Sequence, residues 1–229
     1  MKGSLLDVLK TSFAVAGFDL FSFCRVSAYN SSVPAKYALS SVAEDQVIVM
    51  VGNTRRLWPL ICKRTKNLLE NGGMVRDPVD SYVEEATAEA ISSVRSHVAL
   101  VKFVHDTNDI VLFQHLACVT GLCWLCPEVK LCVHPVYGPW VSFRVAMVLS
   151  DESNIDLGPP PKMVPPLFDG SQFGGPELQD AMAESSQISR LEGWRKWVAV
   201  RDAIPIGKEH RFFEDQLRYH YTGEMDWRK

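Results

Sequence analysis

The apolar residues of this chain fall into two kinds of run, and the order of these runs limits the fold. Strand-length runs at 46–54, 98–105 and 139–150 alternate with segments of helical spacing, of which 4–17 opens the chain. No run approaches the ~18–20 apolar residues that cross a membrane. A mixed order of strands and helices predicts an α+β or α/β domain rather than a bundle or a sandwich.

Length and charge narrow the class of protein further. The chain has 229 residues, 47% of them hydrophobic, which suits one large domain spanning 1–229. Residues 156–177 are rich in Pro and Gly and predict a long surface loop or lid. A net charge of −3 makes nucleic acid a poor partner. The amphipathic N-terminal segment does not resemble a secretory signal, so we expect a cytoplasmic protein with reduced cysteines.

The clearest predicted helix starts after Asp77. Asp77 is placed to cap the helix, and Pro78 occupies its first position. Helix capping and the helix dipole also explain Asp77 and Asp80 better than a catalytic carboxylate pair does. Further helices are predicted at 54–70, 112–125, 184–203 and 207–221. One apolar stripe follows the helix that starts after Asp77, through Val79, Tyr82, Val83, Ala86, Ala90 and Val94.

Half of the six cysteines lie within 121–135, in the run GLCWLCPEVKLCVHP. Cys123, Cys126, Cys132 and His134 form a set of zinc-ligand types, although their spacing is poor for a structural zinc site. Cys123 and Cys126 also form a C-x-x-C pair that can cycle between dithiol and disulfide. The third interpretation is that all three cysteines are small core residues, because free cysteine is often buried. The spacing leaves these three interpretations open.

Two arginines stand on apolar backgrounds. Strand alternation in 139–150 groups Arg144 with Trp140, and it places Phe143 and Val145 together on the opposite face. Helical spacing in 191–201 aligns Arg201 with an apolar stripe. A buried guanidinium needs an anionic partner. That partner is either a structural carboxylate of the protein or a carboxylate or phosphate of a ligand. The aromatic and basic residues at 218–221 are assigned to packing and solvation.

Several stretches together resemble one family. RDPVDSYV (76–83), CVHPVYGPWVSFRVAMVL (132–149) and WRKWVAVRDAI (194–204) are similar to the cobalamin-processing MMACHC family, named for methylmalonic aciduria type C with homocystinuria. Fainter similarity appears in FSFCRVSAYNSSVP and VIVMVGNTRRLW. The matches run from near residue 15 to about 222, and the two strongest strings occur in the family's order.

The resemblance implies a fold and an activity. The fold is that of flavin-dependent nitroreductases, an α+β sheet domain with a smaller elaboration. The activity is removal of the upper ligand of base-off cobalamin. Alkylcobalamins are dealkylated by glutathione thiolate, and cyanocobalamin is decyanated with electrons from a reduced flavin, FMN or FAD. A type D (MMADHC-like) trafficking partner and a homodimer also follow from the family. An associated glutathione oxidase activity follows instead from the hypothesis about Cys123 and Cys126 given below.

The resemblance also assigns residues. Its glutathione arginines fall on Arg144 and Arg201, with Arg228 as a weaker third match. This chain has Cys118 where the family has a histidine, and GLCWLCP replaces a tyrosine-rich stretch. We hypothesise that Cys123 and Cys126 add a thiol/disulfide step near the cobalt. The positions implied to line the cobalamin site are Val111, Leu112, Phe113, Gln114, Cys118, Trp124, Leu125, Cys126, Cys132 and Phe143.

Two other functions remain open at this point. The same fold without cobalamin would serve a flavin reductase of small electrophiles. A non-catalytic cobalamin chaperone would bind the cofactor in its base-off form without turnover. No metal is expected directly on the protein, apart from the cobalt within cobalamin.

Overall fold

A four-stranded antiparallel sheet forms the centre of the protein. We describe it from a computed structural model, which covers residues 4–127, 129–150, 157, 179–183 and 193–227. The strand order is β1-β2-β6-β3, and β4 pairs with β5 in a separate two-stranded sheet. The antiparallel sheet confirms the α+β alternative. The strands are β1 Leu20–Arg25, β2 Val47–Asn53, β3 Val98–Phe103, β4 Trp124–Leu125, β5 Cys132–Val133 and β6 Ser142–Leu149.

Helices lie on both faces of this sheet, and none of the described ones is long and apolar enough to cross a bilayer. Residues 179–183 are also helical. The α-helices with defined bounds are α1 Leu5–Val15, α2 Val26–Asn30, α3 Trp58–Glu70, α4 Pro78–Ile91, α5 Phe113–Val119, α6 Trp194–Asp202 and α7 Glu214–Thr222. Short 3-10 turns occur at Ala35–Tyr37, Arg55–Leu57, Ser92–His97 and Lys208–His210.

The central strand β2 is buried along its whole length because both faces of the sheet are covered. Helices α1, α3 and α4 pack on one face, where Phe13 and Val83 meet Val49. Helices α2 and α5 pack on the other face, where Tyr29 and Leu116 belong to the second core. We call these the α1/α4 face and the α2/α5 face. The continuous apolar run at 46–54 is therefore a strand, as predicted.

Local signals explain where the first helices begin. Ser4 and Asp7 form a reciprocal capping box that starts α1. Pro78 occupies the first turn of α4, as predicted. The capping prediction for Asp77 is wrong, because Asp77 has left-handed backbone angles and its side chain makes no capping hydrogen bond. Val94 lies beyond α4 in a 3-10 turn with non-helical angles, so the helical stripe ends before it.

Two other predicted helices differ in their bounds. The single helix expected at 112–125 ends at Val119, because Gly121 adopts a left-handed conformation that terminates it. The chain then turns into β4 instead of continuing as a helix. The helix expected at 207–221 begins at Glu214, after the left-handed Gly207 and a 3-10 turn. Residues 184–192, and the loop expected at 156–177 except for residue 157, lie outside the described ranges.

Strand β6 contains a β-bulge that the alternation pattern did not predict. Val145 pairs with Val51 of β2 and Phe143 pairs with the next residue, Gly52, which leaves Arg144 as the extra residue. An extra residue shifts the inward and outward phase of a strand by one. Phe143 therefore packs on the α2/α5 face while Val145 lies on the α1/α4 face. The prediction that these two residues share a face is wrong for this reason.

Candidate functional site

The bulge places the guanidinium of Arg144 inside the protein. Arg144 is only 8% exposed, and its Nε donates a hydrogen bond to Asn53 Oδ1 at 2.8 Å. Within the described residues Arg144 makes no salt bridge, although the charges of Asp80 and Tyr219 act on it. Burial lowers the pKa of Arg144 to about 10. The cation is therefore held by a neutral amide, which leaves its charge largely uncompensated.

Arg201 extends from the last turn of α6 toward the start of β6. Its Nη1 donates to the carbonyl of Pro139 at 2.8 Å, and its guanidinium carbon lies 5.9 Å from the ring centre of Trp140. The Nε of Arg201 is buried and has no hydrogen-bond partner among the described residues. A buried donor without a partner is costly, so this arginine is prepared for an acceptor from outside the chain.

The charges of both arginines act on His220 on α7. Burial, and to a smaller extent the charges of Arg144 and Arg201, lower the pKa of His220 to about 3. The imidazole is therefore neutral near pH 7. Sequence reasoning assigned this residue to packing and solvation. The available signal was the aromatic and basic run at 218–221, which does not say which of its side chains turns inward.

A cavity of about 530 Å³ opens beside this group. Its volume lies in the range of pockets that bind small organic ligands. Arg201 and His220 line it directly, and so does Ser142, two residues before the buried Arg144 on β6. The other lining residues are mostly apolar or aromatic, and they are Val129, Lys130, Leu131, Met182, Trp197, Val200, Phe212, Leu217 and Tyr221.

The residues implied to line the cobalamin site reach this cavity only in part. Gln114 Nε2 donates to the carbonyl of the lining residue Lys130 at 2.8 Å, and the Cys132 thiol lies 3.8 Å from the carbonyl of Gln114. Leu125 faces Cys132 across the β4–β5 pair, and both pack with the core of the α2/α5 face. Trp124 and Cys126 instead pack in the cluster that contains the cavity-lining Val129 and Val200.

Other implied residues lie in the interior rather than at the cavity wall. Val111 and Phe113 are buried in the core of the α2/α5 face, and the half-buried Leu112 donates its backbone N–H to the Tyr29 hydroxyl. Phe143 packs against the same core. Arg228 lies outside the described residues. The structure thus brings part of the implied set together and places the rest behind it.

Cys118 and Cys132 are in direct contact. A hydrogen bond from the Cys132 thiol lowers the pKa of Cys118, and the same bond raises the pKa of Cys132 together with burial. Cys118 is half-buried while Cys132 is buried. A thiol with a lowered pKa and some access to solvent is the more reactive kind.

Cys123 and Cys126 lie in different cores, although only three residues separate them. Cys123 belongs to the core of the α2/α5 face, and Cys126 packs with Val133 and Ile204 in a small separate cluster. Strand alternation at β4 explains this, because residues at odd spacing point to opposite faces. Both thiols are fully buried. This packing does not support exchange between the two.

The zinc alternative finds no cluster of ligands. No group of three or more ligating side chains within the described ranges could hold a metal ion. His134 accepts hydrogen bonds at Nδ1 from the backbone N–H groups of Val136 and Tyr137, so that nitrogen serves the turn after β5.

Comparisons with known proteins agree on one family. No family model matches the chain. The cyanocobalamin reductase / alkylcobalamin dealkylase of Danio rerio is 25% identical over 250 residues, covering 95% of this chain and 88% of that protein. The protein of the same name from Mus musculus is 26% identical over 233 residues, covering 90% of this chain and 74% of that protein.

A solved structure extends the likeness to the fold. The crystal structure of a C. elegans B12-trafficking protein CblC, a homologue of human MMACHC, matches with a TM-score of 0.68. The match covers 93% of this chain and 89% of that one at 16% identity, so it speaks for the fold alone. Sequence motifs, curated relatives and fold together show that the chain is similar to proteins of the MMACHC family.

Proposed function

We propose that this protein binds cobalamin and removes its upper axial ligand. The observation that carries the proposal is the cavity itself, whose wall holds Arg201 with a buried Nε that has no partner among the described residues, and Ser142, two residues before the buried Arg144. The names of the curated relatives support the same activity. The enzyme would thus be an alkylcobalamin dealkylase and a cyanocobalamin reductase.

The arginine pair suits glutathione as the nucleophile. Glutathione carries two carboxylates, and a guanidinium binds a carboxylate with two parallel hydrogen bonds. Binding both carboxylates would orient the sulfur toward the alkyl carbon of cobalamin. The sulfur–carbon bond then forms while the cobalt–carbon bond breaks, and the cobalt keeps the electron pair. Positioning of this kind contributes several kcal/mol to catalysis.

The cobalamin would occupy the side of the cavity formed by the β4–β5 pair. Trp124 and Cys126 are the implied residues that pack in the same cluster as the cavity-lining Val129 and Val200. Gln114 reaches the wall through Lys130, whereas Cys118, Leu125 and Cys132 lie on the other face of the small sheet. The cavity is smaller than a complete cobalamin, so only part of the macrocycle would enter it and the remainder would lie at its open side.

The remaining parts of the proposal come from the sequence and its resemblance to the family. The activities are decyanation with a reduced flavin, FMN or FAD, as a substrate, and a glutathione oxidase side activity. The fold would be that of flavin-dependent nitroreductases in one domain over 1–229, and Arg228 would be a third glutathione contact. The protein would form a homodimer, bind a type D (MMADHC-like) trafficking partner and have a cytoplasmic location. For thiol oxidation, the contact between Cys118 and Cys132 makes that pair a better candidate than Cys123 and Cys126.

One experiment separates the proposal from its alternatives. Methylcobalamin is added to the purified protein, the absorption spectrum is recorded, and glutathione is then added without air. We expect a base-off spectrum followed by glutathione-dependent loss of the methyl group. A base-off spectrum without turnover would indicate a chaperone. An unchanged cobalamin spectrum would contradict the proposal and favour a flavin reductase.

A further inference from the structure

The side chain of His220 is enclosed by rings except where it meets the cavity. The ring centres of Trp58, Phe212 and Tyr219 lie 6.1, 5.8 and 6.0 Å from that of His220. His220 also lines the cavity beside Arg201. A neutral imidazole in such a position is placed to exchange a proton with a molecule in the cavity.

The charged and titratable groups around His220 come from several elements. The charges of Arg144 on β6 and of Arg201 on α6 both act on it. Lys130, before β5, and Tyr221 on α7 line the cavity. Tyr219 on α7 and Asp80 on α4 act on Arg144, and the charge of Asp80 also acts on Tyr219. Cations therefore dominate while the cavity holds no anion.

We propose that His220 accepts the proton of the glutathione thiol after the two carboxylates of the ligand have bound Arg144 and Arg201. The inference rests on the proposed function. Burial is the largest cause of the lowered pKa of His220, and the two arginine charges add to it. Carboxylates at the two guanidiniums would offset the arginine contribution, so the base would gain strength when the nucleophile is in place. The structure thereby couples substrate binding to thiol activation.

The other polar groups on the cavity wall are poorly suited to this role. Lys130 and Arg201 are hydrogen-bond donors without an acceptor atom, and a hydroxyl such as that of Tyr221 is a weaker proton acceptor than an imidazole. In the proposed step the thiol proton moves to His220, and the resulting thiolate forms a bond to the alkyl carbon. The cobalt–carbon bond breaks with its electron pair on cobalt, and the imidazolium later returns the proton to water.

Gln216, one turn before His220 on α7, is placed to orient the imidazole. Its side chain lies with Nε2 at 3.4 Å from His220 Nε2, and its Oε1 is buried without a partner among the described residues. Turning the amide by half a rotation would bring Oε1 to His220 Nε2 and satisfy both atoms. Nε2 would then carry the hydrogen, and Nδ1 would be free to accept the thiol proton.

The first test measures the titration of the imidazole in the wild-type protein. Histidine side chains are followed by NMR between pH 5 and 8, with and without S-methylglutathione, which has both carboxylates but no thiol. We expect His220 to stay neutral in the free protein and to titrate within this range when the ligand is bound. A ligand that binds without changing the titration of His220 would overturn the inference and leave the proposed function intact. Absence of ligand binding would contradict the proposed function itself.

The second test is the pH profile of methylcobalamin dealkylation by His220→Gln. A free thiol of pKa ≈ 8.5 is only about 3% ionised at pH 7, so loss of the base should slow the reaction roughly 30-fold there. The deficit should shrink to about 2-fold at pH 8.5, where half of the thiol ionises unaided. Arg195→Gln, an exposed change on α6, is the control and should keep the wild-type profile. A deficit of equal size at every pH would mean that His220 serves only packing.

Discussion

Replacing Arg144 by glutamine separates a ligand-binding role from a structural one. The guanidinium is buried, hydrogen-bonded to the neutral side chain of Asn53, and without a salt bridge among the described residues. Loss of a hydrogen bond from a charged group costs about 1.5–3 kcal/mol. Removal of a buried and uncompensated cation returns a desolvation penalty of several kcal/mol. We therefore expect the free energy of unfolding of Arg144→Gln to stay within about 1 kcal/mol of wild type.

The same substitution should strongly weaken glutathione binding. A charge-assisted contact to a carboxylate is worth about 1.5–3 kcal/mol, which corresponds to a roughly 10- to 140-fold loss of affinity. Cobalamin binding should change much less, because Arg144 lies on the arginine side of the cavity. Arg144→Gln should therefore lower the affinity for glutathione strongly while it leaves the free energy of unfolding almost unchanged.

Urea unfolding and glutathione titrations on the same preparations check both expectations. Arg195→Gln is the matched control, because Arg195 is exposed and pairs with Glu214 at 2.7 Å. Surface pairs of this kind contribute at most about 1 kcal/mol, and this variant should bind glutathione normally. If Arg144 instead served a structural ion pair, its loss should cost about 3–5 kcal/mol of stability. Such a loss with unchanged glutathione affinity would refute the reasoning.

Two further predictions concern thiol reactivity and a close backbone contact. Cys118 should react with iodoacetamide at pH 7.5 faster than Cys62 does. Both thiols are half-buried, but the pKa of Cys118 is lowered, whereas burial raises the pKa of Cys62 to about 11. Peptide mapping of the alkylated protein measures the two rates, and equal rates would contradict the prediction. Gly138→Ala should destabilise the protein more than Gly72→Ala in urea unfolding, and equal losses would count against this contact. Both glycines have positive φ, but only at Gly138 would an added Cβ overlap the carbonyl of Ile206.

Patterns within one segment predicted much of the fold. Helices α1 and α4 and strands β2 and β6 appear in the sequence because each buries a face, and periodicity reports burial directly. The bounds of other elements differ from the prediction where a single residue changes the backbone, as Gly121 does at the end of α5. The α+β class followed from the order of the elements.

The site depends on contacts that no local pattern contains. The bulge at Arg144 arises from pairing with β2, so alternation within β6 alone gave Phe143 the wrong face. Arg201 was visible as an arginine on an apolar stripe, but the histidine that lines the same cavity, His220, was not. Cys118 meets Cys132 because the chain folds back between β4 and β5. Such contacts join segments that are distant in sequence, and only the resemblance pointed to some of them.

The account rests on two guanidiniums that serve one ligand, and calorimetric titration with S-methylglutathione tests this directly. The titration compares wild type, Arg144→Gln, Arg201→Gln and the double variant, with Arg195→Gln as control. We predict measurable binding by wild type and the control, weaker binding by each single variant, and no detectable binding by the double variant. A wild-type protein that does not bind the ligand, or a double variant that binds it as tightly as wild type, would contradict the account.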